Sequence, residues 1–316
     1  MIRWGIIGLG NIAMRFYNSL MHCENGYLYA VASRTPLKRE SFHQQYPHVK
    51  VYDNYEDLLN DEQIDVVYIA LRHADHFALS KAALLHQKAV LCEKPATLSY
   101  QQTQELCDLS FQNNLFFMEA MKTRFIPLIA DIKEELEKGS IGDIEYIETA
   151  FCSCVPYQEG HYLFDKGQGG ALYDVGIYNI ASVLDYIHSP LVHVKTKWKE
   201  NYGVDVHDNI ELTFENGQKA FIELAIDEKK EKSMTIKGTK GKLIAEPFYR
   251  PTVATLIQDG QERILQKPYI RDDFYTEIEE VHRCLQAHLI ESPRMTHQDS
   301  LDCMAVIEAI KESFYD

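Results

Sequence analysis

Five short apolar runs mark the first part of the chain, with helical patterns between them. They occupy residues 2–7, 27–33, 66–70, 89–92 and 116–120. Continuous runs of this kind are typical of parallel strands that are buried on both faces. Their alternation with helices predicts a right-handed, doubly wound parallel sheet of the Rossmann type, an α/β fold.

Alternating apolar and polar residues replace this pattern beyond about residue 124. The alternating segments are residues 144–151, 192–198, 209–214, 219–226, 233–237, 242–245 and 253–258. Turn residues at 215–218 and 238–241 predict two hairpins among them. We therefore expect an α+β second half, a large open antiparallel sheet that helices cover on one face.

Two domains are expected because 316 residues exceed the usual size of one. The change of pattern divides the chain into a dinucleotide-binding Rossmann domain, residues 1–122, and a substrate-binding and oligomerisation domain, residues 123–316. Helical spacing predicts two final helices, at 274–285 and 301–314. We expect them to pack either on the second sheet or back against the first domain.

The net charge of the chain narrows the range of molecules that it is expected to bind. The chain has 32 basic and 47 acidic residues, a net charge of −15. This balance argues against binding to nucleic acid and to anionic membrane surfaces. The expected partners are small-molecule substrates and other protein subunits. If the uncovered face of the second sheet is apolar, it pairs with a second copy, which predicts a homodimer or homotetramer.

Seven scattered cysteines form no disulfide framework. Cys152 and Cys154 are the only close pair, and without a second pair nearby they indicate strand packing rather than a metal site. We therefore expect no metal. No apolar run approaches the roughly 20 residues that span a bilayer, and the first strand follows Met1 without a leader pattern. These features predict a cytoplasmic protein with reduced thiols.

The first strand runs into a turn with small residues at fixed spacing, Gly8-x-Gly10-x-x-Ala13. Gly8 permits a tight turn, Gly10 lets the backbone approach a pyrophosphate, and Ala13 keeps the following helix close to the strand. The N-terminus of that helix then faces the phosphates. Glycine-rich turns also occur where nothing binds, but this position between a strand and a helix favours a dinucleotide site.

The end of the second strand bears on the choice of cofactor. Enzymes that prefer NAD carry an acidic residue there, which binds the ribose hydroxyls. Here the place is held by Ser33 and Arg34, with Lys38 one helical turn further on. A hydroxyl and a guanidinium suit a 2′-phosphate, so NADP is favoured over NAD. The alternative is that Arg34 and Lys38 are only the solvated start of a helix.

Ligands of doubly wound sheets bind outside the carboxyl ends of the strands. Gly8, Ser33, Leu71 and Lys94 each follow a predicted strand, so we expect them at one crevice. A lysine at the place of Lys94 can reach a reacting carbonyl or the nicotinamide ribose. The alternative for Lys94 is a solvated lysine.

A second informative stretch covers residues 167–179, where Tyr173 and Ile177 begin a buried helical stripe. Asp174 and Tyr178, four residues apart, share a neighbouring face. The alternative interpretation of Tyr178 is a tyrosine of the hydrophobic core without a function. The alternative interpretation of Asp174 is an acidic residue in the first helical turn, where the helix dipole favours it. Gly176 costs roughly 1 kcal/mol against alanine inside a helix, so a close approach of ligand or backbone is expected there.

These marks together resemble the glucose-fructose oxidoreductase and inositol dehydrogenase (Gfo/Idh/MocA) family over essentially the whole chain. The matching stretches are residues 8–13, 93–95, 169–178, and Arg124 with Pro127. Many relatives carry histidine at the place of Tyr178, and the tyrosine looks most like the branch of glucose-fructose oxidoreductase and dimeric dihydrodiol dehydrogenase. Residues 71–73 depart from the family's usual Thr-Pro-Asn, which leaves the nicotinamide-side contacts open.

The resemblance implies that Lys94 and Tyr178 are the catalytic pair and that the Lys94–Pro95 bond is cis. We expect Asp174 to position a substrate hydroxyl. The residues expected to bind the cofactor are Gly8, Gly10, Asn11, Ile12, Ser33, Arg34, Lys38, Leu71, Arg72, His76, Glu93, Lys94 and Arg124.

The expected reaction is hydride transfer between the nicotinamide and a secondary alcohol or carbonyl of a sugar, polyol or dihydrodiol. A free tyrosine, with a pKa of about 10, is a poor base at neutral pH, and a nearby lysine cation favours its phenolate. Two alternatives are an NAD-assisted glycosidase on the same fold and a non-catalytic sensor of dinucleotide and sugar. Retention of both Lys94 and Tyr178 argues against the sensor.

Overall fold

The protein is described by a computed structural model that covers residues 1–315. The chain divides into two compact units. The first comprises Met1–Lys122 and Ile270–Ser300, and the second comprises Thr123–Tyr269 with residues 301–315. The segment Ile270–Ser300 therefore packs with the first unit, whereas the sequence assigned all of 123–316 to one domain. The functional division into dinucleotide-binding and substrate-binding domains stays a prediction.

The first unit is built on a six-stranded, all-parallel sheet with the order β3-β2-β1-β4-β5-β6. Its strands are β1 (Ile2–Ile7), β2 (Gly26–Ala32), β3 (Lys50–Tyr52), β4 (Val66–Ile69), β5 (Ala89–Glu93) and β6 (Phe117–Ala120). Its helices are α1 (Asn11–Leu20), α2 (Pro36–Gln45), α3 (Tyr55–Leu59), α4 (His73–Leu85) and α5 (Tyr100–Asn113). The doubly wound α/β fold predicted from the apolar runs is confirmed. β3 escaped prediction because it is three residues long and lies at the sheet edge.

The second unit contains an eight-stranded sheet with the order β14-β13-β12-β11-β7-β10-β9-β8. Its strands are β7 (Ile144–Cys152), β8 (Leu191–Asn201), β9 (Val204–Phe214), β10 (Lys219–Ala225), β11 (Met234–Gly238), β12 (Gly241–Ala245), β13 (Val253–Gln258) and β14 (Gln261–Gln266). All strand pairs are antiparallel except β7 with β10. The predicted open sheet is thus confirmed, with one parallel pair at its centre.

The described residues form four further α-helices: α6 (Pro127–Glu137), α7 (Ile177–Leu184), α8 (Tyr275–Gln286) and α9 (His297–Glu312). β9 shows how the second core forms, because Val206, Ile210 and Leu212 alternate with more exposed residues and are buried. α7 is buried along almost its whole length and packs on β7. Among the described residues, no helix combines the length and apolar character that a bilayer crossing requires.

The uncovered face of the second sheet is mainly charged, so the apolar character on which subunit pairing was made conditional is limited to part of this face. Lys195 on β8 lies opposite Glu211 on β9, and Lys219 on β10 bonds to the same carboxylate at 2.7 Å. Tyr146 and Phe221 form an aromatic contact on this face, with ring centroids 5.9 Å apart. Cross-strand ion pairs allow a solvated sheet face to carry these long side chains.

Candidate active site

The turn between β1 and α1 has the shape that a dinucleotide phosphate requires. Gly8 has a φ of +99°, and a Cβ there would come within 2.4 Å of the Ala70 carbonyl oxygen. A Cβ on Gly10 would meet no described atom within 4 Å, so space is open beside this residue. Within the described part of the chain, no side chain caps α1 and its first turn holds no acidic residue. These features fit a pyrophosphate at the N-terminus of α1, where Asn11 and Ile12 supply backbone N–H groups.

Four of the residues expected at the crevice lie at the carboxyl edge of the first sheet. Gly8, Ser33 and Lys94 directly follow β1, β2 and β5, and Leu71 is the second residue after β4. Because these strands are parallel, their carboxyl ends share one edge. Arg72 is exposed there and precedes the first residue of α4.

Side chains around the end of β2 present positive charge to solvent. Ser33 is buried; its hydroxyl accepts a hydrogen bond from the Thr35 N–H at 3.2 Å. Arg34 is exposed, and its guanidinium lies 5.0 Å from the centre of the Tyr55 ring. Arg39, which no sequence motif indicated, donates to the Ser33 carbonyl oxygen at 2.7 Å. Lys38 is exposed on α2.

The segment after β5 is held by two buried side chains. The Lys94–Pro95 peptide bond is cis, as the resemblance implied. Nδ1 of His76 lies 2.8 Å from the Pro95 carbonyl oxygen, and Nε2 lies 3.3 Å from that of Leu71. The Glu119 carboxylate accepts the Ala96 N–H at 2.8 Å. Because His76 is fully buried between carbonyls, it positions the Lys94 segment in this structure. Burial lowers the pKa of His76, which keeps the ring neutral.

Two carboxyl groups of the first unit, those of Glu93 and Glu277, interact electrostatically. Glu93 accepts a short hydrogen bond from the Tyr68 hydroxyl. Glu277 on α8 is fully buried, and neither of its carboxyl oxygens has a hydrogen-bond partner among the described residues. Burial, and then the negative charge of Glu93, raise the pKa of Glu277 well above its ordinary value of 4.5. Glu277 is therefore a neutral acid in the folded protein, and helical spacing gave no sign of it.

Replacing Glu277 with glutamine should change how stability depends on pH. The folded wild type keeps a proton that the unfolded chain releases above about pH 4.5. The contribution of Glu277 to stability is therefore complete below that pH and declines as the pH rises toward its folded pKa. Glutamine does not titrate, so the Glu277→Gln variant lacks this decline. As the pH increases, the free energy of unfolding of the variant should rise relative to that of the wild type by up to about 1.4 kcal/mol per pH unit. Urea unfolding at pH 6 and pH 8 measures this, with exposed Glu24→Gln as the control, which should track wild type.

The second unit holds Asp174 and Tyr178 at the start of a helix with an unusual first turn. Residues Leu172–Gly176 form a π-helical turn that continues into α7. Asp205 on β9 accepts the Leu172 N–H at 2.7 Å, and a Cβ on Gly170 would collide with its carboxylate. Asp205 therefore fixes where this helix begins, a role that linear spacing did not reveal. Burial, and then the neighbouring Asp205, raise the pKa of Asp208 on the same strand.

Asp174 is half-buried and accepts a hydrogen bond from the Tyr162 hydroxyl at 3.2 Å. Tyr162 belongs to a short 3-10 helix, Tyr162–Phe164, and was not singled out from the sequence. Tyr162 also stacks on His161, with ring centroids 4.9 Å apart. The carboxylate of Asp174 is thereby oriented by a hydroxyl group, an arrangement that suits the binding of a polyhydroxylated molecule.

Tyr178 lies in an aromatic cluster that we call the Tyr178 cluster, formed by Phe151, Tyr178 and Tyr249. The Phe151 and Tyr249 rings each lie 5.8 Å from the Tyr178 ring, centroid to centroid, and 4.7 Å from one another. Tyr178 is 8% exposed. The cluster fixes the plane of the Tyr178 ring, and its members come from a strand, a helix and a loop.

Arg124 and Gly176 have neighbours that the sequence did not indicate. Arg124 is buried in the second unit, where its Nε lies 3.6 Å from the carboxylate of Asp185. A Cβ on Gly176 would lie 3.1–3.5 Å from the side chains of Leu172 and Leu224. Gly176 therefore permits close packing of the helix on β10, and cofactor binding by Arg124 stays a prediction.

Three residues with metal-binding atoms, Cys23, Glu279 and His282, meet in the first unit. Ligand atoms of Cys23, Glu279 and His282 all lie within 4.8 Å of one another. The Trp4 indole N–H donates to Nε2 of His282 at 2.9 Å, so in the neutral ring the proton is on Nδ1, which lies 3.2 Å from Glu279. This arrangement is a hydrogen-bonded chain in which Nδ1 has no lone pair for a metal.

Two family models match the chain. The model described as "Oxidoreductase family, NAD-binding Rossmann fold" covers residues 2–120, and the "GFO/IDH/MocA C-terminal domain" covers residues 129–244. Together they span both units.

Named relatives match over nearly the full length. A trans-1,2-dihydrobenzene-1,2-diol dehydrogenase from Danio rerio is 30% identical in an alignment of 320 positions, gaps included, that covers 95% of this chain and 92% of the relative. A D-xylose 1-dehydrogenase (NADP(+)) from Haloferax volcanii is 28% identical in an alignment that covers 98% of this chain and 96% of the relative. A 3-ketoreductase from Actinomadura kijaniata, solved in complex with NADP and TDP-benzene, has the same fold, with a TM-score of 0.90, 24% identity, and coverage of 99% and 97%.

Proposed function

We propose a reaction for this chain from one premise: it belongs to the Gfo/Idh/MocA oxidoreductase family. It is therefore an NAD(P)-dependent enzyme, a dehydrogenase or reductase that acts on CH–OH groups. The proposed reaction is hydride transfer between the nicotinamide and a secondary alcohol or carbonyl of a sugar, polyol or dihydrodiol. The names of the diol and xylose dehydrogenases among its relatives support these substrate classes.

The observation that carries the proposal is the setting of Tyr178. Its ring is fixed by Phe151 and Tyr249, and it follows Asp174 by four residues on a helix whose start is anchored by Asp205. A tyrosine held this way suits proton exchange with a substrate oxygen, because its hydroxyl keeps one direction. Asp174, oriented by Tyr162, would bind a neighbouring substrate hydroxyl.

When bound, the nicotinamide cofactor accepts the hydride of the alcohol carbon or returns it to a carbonyl. In oxidation, the Tyr178 phenolate takes the hydroxyl proton, and in reduction the phenol gives it back to the carbonyl oxygen. Lys94 assists by stabilising the phenolate and polarising the substrate oxygen. Glu119 and His76 support this role, since they fix the backbone on the carboxyl side of Lys94.

A turnover screen tests the function directly. NADP reduction and NADPH oxidation would be followed across panels of sugars, polyols and trans-diols, with NAD as the control. We expect stoichiometric formation of NADPH with at least one secondary alcohol. Bond cleavage in a glycoside without net NADPH formation would instead indicate the redox-assisted glycosidase, and tight cofactor binding with no turnover would indicate a sensor.

NADP is the proposed cofactor, and exposed Arg34 is the proposed ligand of its 2′-phosphate. Arg34→Ala should raise the KM for NADP about 10- to 100-fold, because a charge-assisted hydrogen bond is worth roughly 1.5–3 kcal/mol. The KM for NAD on the same variant is the internal control and should stay within about threefold of wild type, since NAD has no 2′-phosphate. Equal losses with both cofactors would contradict the assignment.

We propose that the uncovered face of the second sheet pairs with a second copy to form a homodimer or a homotetramer. It offers an aromatic centre at Tyr146 and Phe221 surrounded by lysine and glutamate side chains, a composition found in two-fold interfaces. Phe221→Glu should weaken association about 30-fold or more in sedimentation equilibrium. Phe111→Glu, at an exposed phenylalanine on α5, should leave the association constant unchanged.

A cytoplasmic location is also part of the proposal. Seven scattered cysteines support it, six of them buried as thiols.

A further inference from the structure

Lys232 lies on the same side of the second sheet as the Tyr178 cluster. Met234 pairs with Thr149 where β11 meets β7, so Lys232, two residues earlier, is opposite Phe151. The pairing continues in that direction, because the Ala150 N–H donates to the Ser233 carbonyl at 2.9 Å. Side chains two residues apart on a strand share a face. This register therefore directs the Lys232 side chain toward the ring of Phe151.

The contacts of the ammonium agree with the register. Nζ of Lys232 lies 4.6 Å from the centre of the Phe151 ring and 5.7 Å from that of Tyr249. The guanidinium of Arg250 lies 5.1 Å from the Tyr249 ring. Two cations thus rest on the two rings that flank Tyr178. One aromatic ring therefore lies between each cation and Tyr178, the proposed acid/base.

Lys232 is half-buried. In the part of the chain that the structure describes, its Nζ has no hydrogen bond or ion pair, so no carboxylate there neutralises its charge. Glu231, the adjacent acidic residue, interacts instead with Glu246 and raises the pKa of the Glu246 carboxyl group. Burial, and then the charges of Arg250 and Lys229, lower the pKa of Lys232. A concentration of positive charge at this place is notable in a chain with a net charge of −15.

We propose that Lys232, together with Arg250, binds an anionic oxygen group of the substrate, a carboxylate or a phosphate ester, at a carbon distant from the reacting one. An oxyanion supplies the hydrogen-bond acceptors that the ammonium lacks and offsets its repulsion from Arg250. Lys232 is then a specificity-determining residue, and the preferred substrates are acidic or phosphorylated sugars and polyols. This inference rests on the proposed oxidoreductase function.

The test compares matched substrates that differ only in the anionic group. D-glucose, D-glucuronate and D-glucose 6-phosphate are assayed with NADP on wild type, Lys232→Ala, Lys232→Arg and Lys240→Ala. The last variant removes the same charge from the exposed turn between β11 and β12. We expect wild type to favour an anionic member of the set. Lys232→Ala should raise the KM for that member about 10- to 100-fold and change the KM for glucose less than threefold. The arginine variant should keep most of the preference.

The two anionic substrates distinguish the chemical type of the bound group. A preference for glucuronate indicates a carboxylate, and a preference for glucose 6-phosphate indicates a phosphate ester. A preference for glucose in wild type, left unchanged by Lys232→Ala, would overturn the inference while the oxidoreductase function stood.

A binding measurement decides the case in which none of these sugars is turned over. Calorimetric titration of NADP-saturated enzyme with glucuronate and with 6-phosphogluconate should show an affinity at least tenfold weaker for Lys232→Ala than for Lys240→Ala. Equal affinities, or equal lack of binding, in the two variants would overturn the inference. Failure of the oxidoreductase function itself would appear separately, as absence of NADP reduction and NADPH oxidation across the whole panels of sugars, polyols and trans-diols.

Discussion

Tyr178→Phe should lower the rate of hydride transfer about 10²- to 10⁴-fold, the range that general acid–base catalysis contributes. Phenylalanine keeps the ring that packs between Phe151 and Tyr249 and removes only the hydroxyl. Proton exchange with the substrate oxygen then has no group to accept or supply the proton. The loss should appear in kcat, with the affinity for NADP changed less than threefold, because the cofactor fingerprint is in the other unit.

The matched control is Tyr173→Phe on the same helical segment. The Tyr173 hydroxyl accepts a hydrogen bond from Lys311 at 2.9 Å, so this change costs some stability and should leave turnover within a few fold of wild type. Single-turnover rates at saturating NADPH compare the two variants. Wild-type turnover by Tyr178→Phe would exclude it as the acid/base.

Lys94→Ala should lower kcat/KM about 10²- to 10³-fold, since the role proposed for its ammonium is to stabilise the phenolate and to polarise the substrate oxygen. Its backbone neighbours are fixed by His76 and Glu119, so the loss reflects the side chain rather than a displaced loop. The measurement is steady-state kinetics beside Lys81→Ala, which removes a lysine paired with Glu105 on the helical surface of the same unit. Lys81→Ala should behave as wild type, and equal losses in both variants would indicate a general effect of charge.

Much of the fold followed from local sequence rules because local physics determines those parts. Gly8 adopts a φ that side chains disfavour, and the residues after β1, β2, β4 and β5 share one edge once the strands are parallel. The Gly8 turn and the common strand edge each depend on short stretches of the chain. By contrast, β14 lacks a buried face, and its six residues are almost all exposed. Its one clue was the Asp259-Gly260 turn, whose positive φ angles are typical of a tight hairpin.

The surroundings of the candidate catalytic residues could not be predicted, because they come from distant positions. Asp205 reaches the start of the Tyr178 helix across more than 30 residues of sequence, with a separation of 33 from Leu172. Phe151, Tyr249 and Lys232 meet through strand pairing, and register depends on the whole sheet rather than on any local spacing. The character of the uncovered sheet face was left open for the same reason. Alternation of apolar and polar residues along a strand shows that the two faces of the sheet differ. Only the cross-strand pairs show that lysine and glutamate side chains neutralise one another on the uncovered face.

The central claim is that Lys94 and Tyr178 act together on one substrate oxygen, and a double-mutant cycle tests it most directly. Single-turnover rates are measured for wild type, Lys94→Ala, Tyr178→Phe and the double variant at saturating cofactor. Residues that act as a unit give non-additive losses. We predict that the double variant is no more than about threefold slower than Tyr178→Phe alone. A double variant whose loss is the full product of the two single losses would contradict the claim.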